Sequence, residues 1–331
     1  MSDQGNFSSD NVLSGITLLV FSLFLFSLQD MTIKYFSDQY SVLQIVFIRG
    51  VIATTLMMLA AKIIEGQFYL SSQRPWLTLS RGLLGFTSYT TYYLAVASMP
   101  LAEVVAIVFS APLFVTAMSA IILREHVGPR RWGAVIAGFV GVLIIVGPSG
   151  QFSNLSVLLS FTAAITYASQ TIITRRLGTH DKPLTIALNT MILFTGASAM
   201  LGLMLAGNII SISSSHPSLL FFTRDWSQPV TFDLAMMIFL GFNGALAFFC
   251  MSKAYCVAPA STIAPFEYTY IFWAVIFGYL FWSEIPEPTT LIGISILITS
   301  SIYIWSRERR IQKEYLSPRI NEANDPLQLK T

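Results

Sequence analysis

The sequence predicts an all-α integral membrane protein with ten transmembrane helices, arranged as two inverted five-helix repeats with both termini in the cytoplasm. Three observations predict this fold: the composition, the apolar segments and the placement of basic residues. The 331 residues are 54% hydrophobic and only 11% charged, with a mean hydropathy of +0.66. Soluble domains carry about 25% charged residues. The composition therefore argues against a soluble globular protein, a nucleic-acid binder and a disordered chain.

Ten apolar segments are long enough to cross a hydrocarbon core of about 30 Å. They lie at about 13–36, 42–62, 77–98, 101–123, 131–147, 155–175, 184–206, 232–256, 260–282 and 289–305. Turn-forming residues such as Pro100 and Pro259 separate them. The longest polar break, 207–230, has room for a short surface segment.

Basic residues predict the orientation of these segments. With the N-terminus in the cytoplasm, 15 of the 19 Lys and Arg residues fall at cytoplasmic ends, including those of the C-terminal tail. The opposite side then holds Lys34 and Arg224, while Arg49 and Lys253 fall inside spans. Cytoplasmic loops of membrane proteins carry an excess of Lys and Arg. The split therefore predicts that both termini are cytoplasmic.

An internal repeat divides the chain. At a constant offset of 159 residues, similar residues recur: Pro100 and Pro259, Phe109 and Tyr268, and Glu125 and Glu284. The repeats are predicted at 12–147 and 154–305, followed by a basic cytoplasmic tail at 306–331. Because five spans is an odd number, the second repeat enters the membrane from the opposite face. Inverted repeats are typical of transporters that alternate access to a site near the midplane.

A distributed set of residues resembles a known family. The first half contains Arg49, Tyr92-Tyr93-Leu94-Ala95, Pro100-Leu101-Ala102, Leu123-Arg124-Glu125 and Trp132-Gly133, and the second half contains Ala254-Tyr255, Ala258-Pro259-Ala260 and Phe281-Trp282-Ser283-Glu284. In this order they resemble EamA-type members of the drug/metabolite transporter superfamily over about 12–305. That family includes exporters of amino acids and importers of riboflavin and of S-adenosylmethionine.

The resemblance implies a function and partners. It implies a secondary transporter that moves a small organic metabolite, of amino-acid, flavin or nucleoside-like class, across a bacterial inner membrane. The partners implied are that small-molecule substrate and the lipid bilayer, without nucleic acid. A homodimer is an arrangement that the resemblance allows. Substrate identity, the direction of transport and proton coupling stay open.

Four charged residues fall inside the predicted spans and are candidate structural or coupling charges: Arg49, Glu103, Lys253 and Glu267. Intramembrane charges are costly and usually face the protein interior. Lys253 and Glu267 flank the Pro259 turn at similar depth, so the sequence allows an ion pair between them. Glu267 alternatively contacts a substrate ammonium or carries a proton. Arg49 has Asp30 and Glu103 as candidate partners.

Polar and aromatic residues on the spans are candidate substrate-binding residues: Gln29, Tyr89, Tyr92, Tyr93, Phe109, Ser110, Tyr167, Gln170, Asn243, Glu267 and Tyr270. Tyr89, Tyr92 and Tyr93 share one helical face through their spacing. Gln29 and Gln170 occupy matched places in the two halves, at an offset of 141 residues. Phe109 and Ser110 are included because the resemblance places their helix beside a central cavity. Packing within the bundle is the alternative role for each residue.

Small residues recur every four positions at Gly133, Ala137 and Gly141. Such a stripe permits close helix contact, either in a dimer or inside one subunit. The sequence contains no HExxH, GxSxG or Walker A motif. No catalytic residue, metal site or cofactor is therefore expected. A non-transporting receptor or channel and an intramembrane enzyme are the alternative interpretations.

Overall fold

The structure is a computed structural model that describes residues 9–65, 72–122, 128–146, 154–177, 183–209, 215–257, 264–303 and 306. Across these ranges the regular elements are α-helices and one 3₁₀-helix, with no strand among the described residues. The predicted all-α class is confirmed. Glu125, Pro259 and the tail from residue 307 onward lie outside the described residues.

The helices follow the predicted segments closely. The first half contains α1 (Ser9–Phe36), α2 (Val42–Glu65), α3 (Pro75–Val96), α4 (Leu101–Val108), α5 (Ala111–Ile122) and α6 (Pro129–Val146). The second half contains α7 (Asn154–Leu177), α8 (Pro183–Ala206), α9 (Pro217–Thr223), α10 (Thr231–Val257), the 3₁₀-helix η1 (Ala264–Tyr268), α11 (Thr269–Trp282) and α12 (Pro288–Tyr303). The short helix α9 lies in the long polar break, where the sequence left room for a surface segment.

Within the described residues, six stretches are long and apolar enough to cross a membrane: Leu13–Phe36, Val42–Leu59, Leu101–Ile122, Leu155–Thr174, Leu188–Ala206 and Thr231–Met251. Two shorter apolar helices cover Trp132–Val146 and Pro288–Tyr303. Each stretch contains too few charges for a water-facing surface and suits a bilayer core. The chain is therefore a multi-pass membrane protein.

One predicted helix is broken at its middle. The sequence predicted one continuous helix over 101–123, whereas α4 ends at Val108 and α5 begins at Ala111. Pro112 explains the break, because it has no N–H to donate to the carbonyl of Val108 and its ring crowds that carbonyl. Phe109 and Ser110 form the turn between the two pieces.

The second half changes helix type at the matched position. The 3₁₀-helix η1 ends at Tyr268 and continues directly into α11 at Thr269, 159 residues after the break between α4 and α5. The two positions face each other, since the ring centroids of Phe109 and Tyr268 lie 5.8 Å apart. Broken helices that meet inside a bundle free backbone and side-chain groups for an internal site.

The main core joins the two halves. Helix α1 packs on α10 and α11, α4 packs on α11, and α2 packs on α8 and α10. One buried cluster contains Val104 and Ile107 of α4 together with Ile271 and Ala274 of α11. Packing of this kind buries apolar area that each half alone would expose. The halves therefore form one bundle rather than two separate units.

Helices α6 and α12 approach each other closely at two glycines. A methyl group on Gly293 would lie 2.5 Å from the carbonyl oxygen of Gly141, and one on Gly141 would lie 2.9 Å from that of Gly293. Part of the predicted small-residue stripe therefore serves contact inside the subunit. Gly133, in the same stripe, has nothing within 4 Å of its added methyl group.

Arg81 differs from its predicted setting. The sequence counted it among the cations at cytoplasmic ends, but its side chain is buried. Its Nε donates a 2.7 Å hydrogen bond to Thr174 of α7, and Nη1 donates to Thr190 of α8. Arg81 therefore joins three helices. Hydrogen bonds satisfy its desolvated guanidinium without a carboxylate.

Candidate functional site

A group of polar and aromatic side chains, here called the central cluster, lies between α1, α2, α3 and α11. Its members are Gln29, Asp30, Arg49, Tyr89, Tyr92, Tyr93 and Tyr270. Six of the seven were candidate binding or charged residues in the sequence. Asp30 entered only as a partner for Arg49, and it is the residue around which the others gather.

Asp30 accepts hydrogen bonds from three tyrosines. Tyr92 donates to Oδ2 at 2.5 Å, Tyr93 donates to Oδ1 at 2.6 Å, and Tyr270 also donates to Oδ2. The carboxylate is only 2% exposed. Three hydroxyl donors stabilise a carboxylate through charge-assisted hydrogen bonds. They carry no positive charge, so they leave its negative charge unneutralised.

Helix geometry explains the convergence of these groups. Tyr89 and Tyr93 lie one turn apart on α3, with Tyr92 beside them on the same side of the helix. Their rings pack together, with centroids 4.5 Å apart for Tyr89 and Tyr93. Tyr270 reaches the cluster from the second residue of α11, directly after the change of helix type at Tyr268. This change therefore places a tyrosine from the second half over a carboxylate of the first.

Arg49 of α2 contacts Tyr89. Its Nη1 donates to the Tyr89 hydroxyl, and its guanidinium carbon lies 4.6 Å from the centre of that ring. Gln29 donates a 3.0 Å hydrogen bond to the oxygen of Tyr93. The candidate partners of Arg49 in the sequence were Asp30 and Glu103. Among the described residues, however, Arg49 forms no ion pair with either of them within 4.0 Å.

Several buried polar atoms around the cluster lack a hydrogen-bond partner among the described residues: Gln29 Oε1, Ser110 Oγ, Asn243 Oδ1 and Trp273 Nε1. Asn243 uses its amide nitrogen to donate a 2.8 Å hydrogen bond to the carbonyl of Leu25. Buried polar atoms are nearly always paired in folded proteins. Atoms of this kind at one centre are suited to bind a polar ligand.

The predicted binding residues fall into two groups. Phe109 belongs with the central cluster, because its ring stacks on Tyr270 with centroids 5.7 Å apart. Tyr167, Gln170 and Glu267 lie outside it. Tyr167 is 52% exposed. A methyl group on Gly85 would lie 2.6 Å from Gln170 Oε1, so this amide packs against α3.

A second group of charges, here called the end cluster, consists of Lys34, Glu103 and Glu284. Lys34 and Glu284 form an ion pair with a 2.5 Å distance between Nζ and Oε1. Lys34 also donates to the carbonyl of Met99 at 3.1 Å, and the Leu101 amide donates to Glu284 Oε2 at 3.0 Å. These contacts tie the end of α1, the turn before α4 and the end of α11 together.

Local backbone geometry places Glu284 in this position. Ser283 adopts a left-handed conformation with φ of 55° and ends α11. The Glu284 amide then donates to the carbonyl of Gly278 at 3.1 Å, as in a Schellman cap. Trp282 at the end of the helix contributes an aromatic face, with its ring centre 5.0 Å from Lys34 Nζ. The chain reversal after α11 therefore directs the carboxylate toward α1.

Two predicted charge partnerships differ in the structure. Lys253 has an exposed side chain, and its ammonium lies 6.0 Å from the centre of the Phe249 ring. The pair of Lys253 with Glu267 is not among the ion pairs of the described residues. Glu103 lies in the first turn of α4, two residues after Leu101, whose amide donates to Glu284. It forms no ion pair with Arg49 among the described residues.

The sequence missed the pairing of Lys34 with Glu284. Lys34 was interpreted as a topological charge, and Glu284, 250 residues away, was expected from the family resemblance to be a gate or a loop anchor. The scarcity of basic residues on that side was the signal that could have singled out Lys34. Asp30 was predicted only as a partner of Arg49, although an acidic residue deep in an apolar helix is a sign of a functional site.

The sequence of this chain is similar to those of known transporters. The sequence profile of the EamA-like transporter family matches the chain twice, at residues 13–147 and 154–306. An S-adenosylmethionine uptake transporter of Rickettsia prowazekii is 27% identical over 90% of this chain and 94% of its own length. A riboflavin transporter of Vibrio cholerae is 30% identical over 64% of this chain and 65% of its own length.

A pseudopaline exporter of Pseudomonas aeruginosa is 25% identical over 88% of this chain and 96% of its own length. A crystal structure of a protein with 16% sequence identity superposes with a TM-score of 0.58, covering 90% of this chain and 98% of the other. That structural likeness shows a shared fold. The relatives differ in the molecules that their names state, although all are named as transporters or exporters.

Proposed function

Because the chain belongs to the EamA-like transporter family, we propose that it is a secondary transporter that moves a small organic metabolite across the inner membrane by alternating access. Family membership makes the protein a multi-pass membrane transporter of a small molecule, with the bilayer as its surroundings. The relatives' names are those of transporters rather than enzymes. The proposal adds the mechanism, the membrane and the substrate class.

One observation carries the proposal: a buried carboxylate whose ligands come from both halves of the chain. Asp30 belongs to α1, Tyr92 and Tyr93 to α3, and Tyr270 to α11. Asp30 lies six residues before the end of α1, about 9 Å below it at 1.5 Å per residue. A substrate bound there contacts both halves, so a change in their relative position changes the access to it.

The end cluster is a second observation that supports alternating access. Lys34 on α1 and Glu284 after α11 join the two halves at one end of the bundle. Opening that end requires their 2.5 Å ion pair to break. We propose that this pair is a gate on the external side, the orientation that the distribution of basic residues predicts.

The proposed topology has ten spans. The pieces α4 and α5 form one span, η1 and α11 form another, and the five spans from α7 onward run opposite to the first five. Both termini are then cytoplasmic, and the repeats lie at 12–147 and 154–305 with a basic tail at 306–331. Reporter fusions after each predicted span test this orientation. Matching reporter signals at Phe36 and Ser283 are expected, since both belong to the external end.

Tyr167, Gln170 and Glu267 have a proposed place on the route to the central cluster. They belong to α7 and η1, and the ring of Tyr167 is exposed. A Glu267→Gln variant distinguishes the roles of that residue. Normal uptake at every pH would exclude both a substrate contact and proton carriage by Glu267.

Transport itself is tested with the purified chain in proteoliposomes. Uptake of a panel containing S-adenosylmethionine, riboflavin and the amino acids is measured with and without a pH gradient. Saturable uptake of at least one compound, abolished by Asp30→Asn, is expected. Ionic leak currents would favour a channel instead, and the absence of flux for the whole panel would contradict the proposal.

A further inference from the structure

We infer that Arg81 forms a second site, apart from the central cluster, which binds the phosphate group of an anionic ligand at one end of the bundle. This inference goes beyond the proposed function, because it concerns a bound partner and not the transported molecule. It starts from a buried cation. Arg81 is only 9% exposed, and the ion pair found among the described residues joins Lys34 to Glu284 instead.

Hydrogen bonds to two neighbouring helices hold one edge of the Arg81 guanidinium in place. Nε donates to Thr174 Oγ1 at 2.7 Å, and Nη1 donates to Thr190 Oγ1 and, at 3.4 Å, to the carbonyl of Ile186. Each threonine hydroxyl donates its own hydrogen to a carbonyl of its helix at 2.7 Å. The hydroxyls therefore act as acceptors toward Arg81 and leave its positive charge without an opposite charge.

The other edge of the Arg81 guanidinium is open. Nη2 donates no hydrogen bond to the described residues. Nor is it one of the buried side-chain atoms that lack a partner in that part of the chain. The atom is therefore accessible to a ligand, although most of the side chain is buried. Its two N–H groups suit an anionic oxygen, which a guanidinium binds through charge-assisted hydrogen bonds.

The Arg81 site lies at the depth of lipid headgroups. Arg81 is six residues after the start of α3, Thr174 is three residues before the end of α7, and Ile186 is three residues after the start of α8. At 1.5 Å per residue, these positions are about 5–9 Å from the helix ends. Trp76, in the first turn of α3, is 79% exposed, and tryptophans are enriched at membrane–water interfaces.

A phosphate group fits this site better than a neutral or a cationic ligand. It supplies the negative charge that the threonines lack, and its oxygens accept from Nη2. The distribution of basic residues predicts that this end of the bundle is cytoplasmic. Basic sites between membrane helices on that side bind anionic headgroups. The phosphate can therefore come from an anionic phospholipid or from a soluble anion on the aqueous side.

A phosphate at Arg81 would act on the contact between the two halves of the chain. Arg81 belongs to α3 in the first half, whereas Thr174 and Thr190 belong to α7 and α8 in the second. An opposite charge offsets the cost of burying the guanidinium between these helices. The bound ligand is therefore expected to stabilise the arrangement in which α3 packs on α7 and α8.

Thermal unfolding of the delipidated full-length chain in neutral detergent tests the inference. The probes are phosphatidylglycerol, phosphatidylcholine of equal chain length, and inorganic phosphate at constant ionic strength. Phosphatidylglycerol is expected to raise the unfolding temperature by about 3 °C or more at 100-fold excess over its dissociation constant. Phosphatidylcholine, whose choline cancels the phosphate charge, should change it by less than about 1 °C.

The inorganic phosphate arm distinguishes the two sources of the ligand. Stabilisation by phosphatidylglycerol alone identifies a lipid headgroup as the ligand. Stabilisation by inorganic phosphate as well shows that the phosphate group is sufficient, and stabilisation by inorganic phosphate alone identifies a soluble ligand. No stabilisation by either one beyond that of phosphatidylcholine would overturn the inference.

Variants of Arg81 assign the stabilisation to this site. Arg81→Gln is expected to weaken the binding of the stabilising ligand about tenfold or more. The readout is the change in unfolding temperature between ligand-free and ligand-bound protein, which a merely structural role of Arg81 would not alter. Arg81→Lys serves if the glutamine variant does not purify as a monodisperse protein. Because lysine lacks the planar fork, its binding should weaken about threefold or more.

Lys253→Gln is the matched control, because it removes an exposed cation of α10 near the same predicted end of the bundle. Its response to each probe is expected to equal that of the wild-type chain. An unchanged response in the Arg81 variants would overturn the inference. So would an equal loss of response in Lys253→Gln, because binding would then depend on basic charge in general rather than on the site at Arg81.

Discussion

The central cluster and the end cluster contain the same kinds of charged group but arrange them differently. At the end, Lys34 and Glu284 meet at 2.5 Å and also bind backbone groups of the α3–α4 turn. At the centre, Asp30 and Arg49 are both buried, and each contacts tyrosine hydroxyls rather than an opposite charge among the described residues. Paired charges hold helices together, whereas charges that contact only neutral groups keep their capacity to bind a ligand. In the proposed function, the end cluster therefore serves closure and the central cluster serves recognition.

Asp30→Asn has the largest expected effect, because it removes the negative charge to which three tyrosine hydroxyls donate hydrogen bonds. Uptake is expected to fall about 100-fold, since up to about 3 kcal/mol of charge-assisted binding is lost. The protein should still fold, because the amide keeps the size of the side chain and one acceptor oxygen. Proteoliposome uptake at matched protein content measures the effect. Uptake within twofold of wild type would remove Asp30 from the site.

Lys34→Met breaks the end cluster and ranks second. The loss of Lys34 as the partner of Glu284 is expected to destabilise the closed end by about 2 kcal/mol. This is less than the about 3–5 kcal/mol for breaking a fully buried ion pair, because Glu284 is 21% exposed. Uptake should fall about thirtyfold, and a cysteine placed at Ser98 should become more reactive from that side.

A double variant separates the ion pair from general damage at this end. Lys34→Met combined with Glu284→Gln should be less impaired than the sum of the two single variants, because no unpaired charge remains. Additive losses would show that the two residues act independently and would contradict the gate.

A matched pair of tyrosine variants tests the comparison with one chemical change. Tyr92 and Tyr40 each donate a 2.5 Å hydrogen bond to an aspartate. Tyr92 bonds to Asp30 at the centre, whereas Tyr40, in the connection after α1, bonds to Asp233 in the first turn of α10. Tyr92→Phe is expected to reduce uptake about tenfold, and Tyr40→Phe should leave it within about twofold. Equal losses would mean that these bonds serve stability alone.

The hydrogen bond of Tyr40 is expected to contribute to the stability of the fold rather than to transport. The hydrogen bond to Asp233 raises the pKa of the Tyr40 hydroxyl above its ordinary value of 10.0. The phenol therefore stays protonated and donating throughout the neutral range. Tyr40→Phe should lower the free energy of unfolding by about 1 kcal/mol, measured by thermal unfolding in detergent, with transport unchanged.

Gly244→Ala has the smallest expected effect. Its methyl group would lie 3.1 Å from Gln29 Oε1, which is tight but leaves room for a small shift of the amide. Ligand binding is expected to weaken about threefold. Gly133→Ala is the control, since nothing lies within 4 Å of its added methyl group. Equal effects of both changes would argue against a ligand beside Gly244.

The sequence predicted most of the helices and much of the centre for physical reasons. Apolar runs long enough for a bilayer are hard to mistake, so the helices begin and end close to the predicted bounds. The spacing of Tyr89, Tyr92 and Tyr93 also sufficed to place them on one face of a helix. The break at Phe109 and Ser110, which Pro112 explains, was not predicted.

The sequence alone could not predict contacts between distant parts of the chain. Lys34 and Glu284 lie 250 residues apart, and nothing local indicates that one chain reversal directs Glu284 toward α1. Arg81 looked like a helix-end anchor, yet hydrogen bonds from α7 and α8 allow its burial. Lys253 looked intramembrane by position, but its side chain lies on the exposed face of α10.

Equilibrium binding of one transported compound to Asp30→Asn and Lys34→Met, measured side by side, tests the central claim most directly. The account predicts that Asp30→Asn loses binding about 100-fold. It also predicts that Lys34→Met keeps the dissociation constant of the wild-type chain within about threefold while losing uptake. Equal loss of binding in both variants, or retained binding in Asp30→Asn, would contradict the division between a binding centre and a gating end.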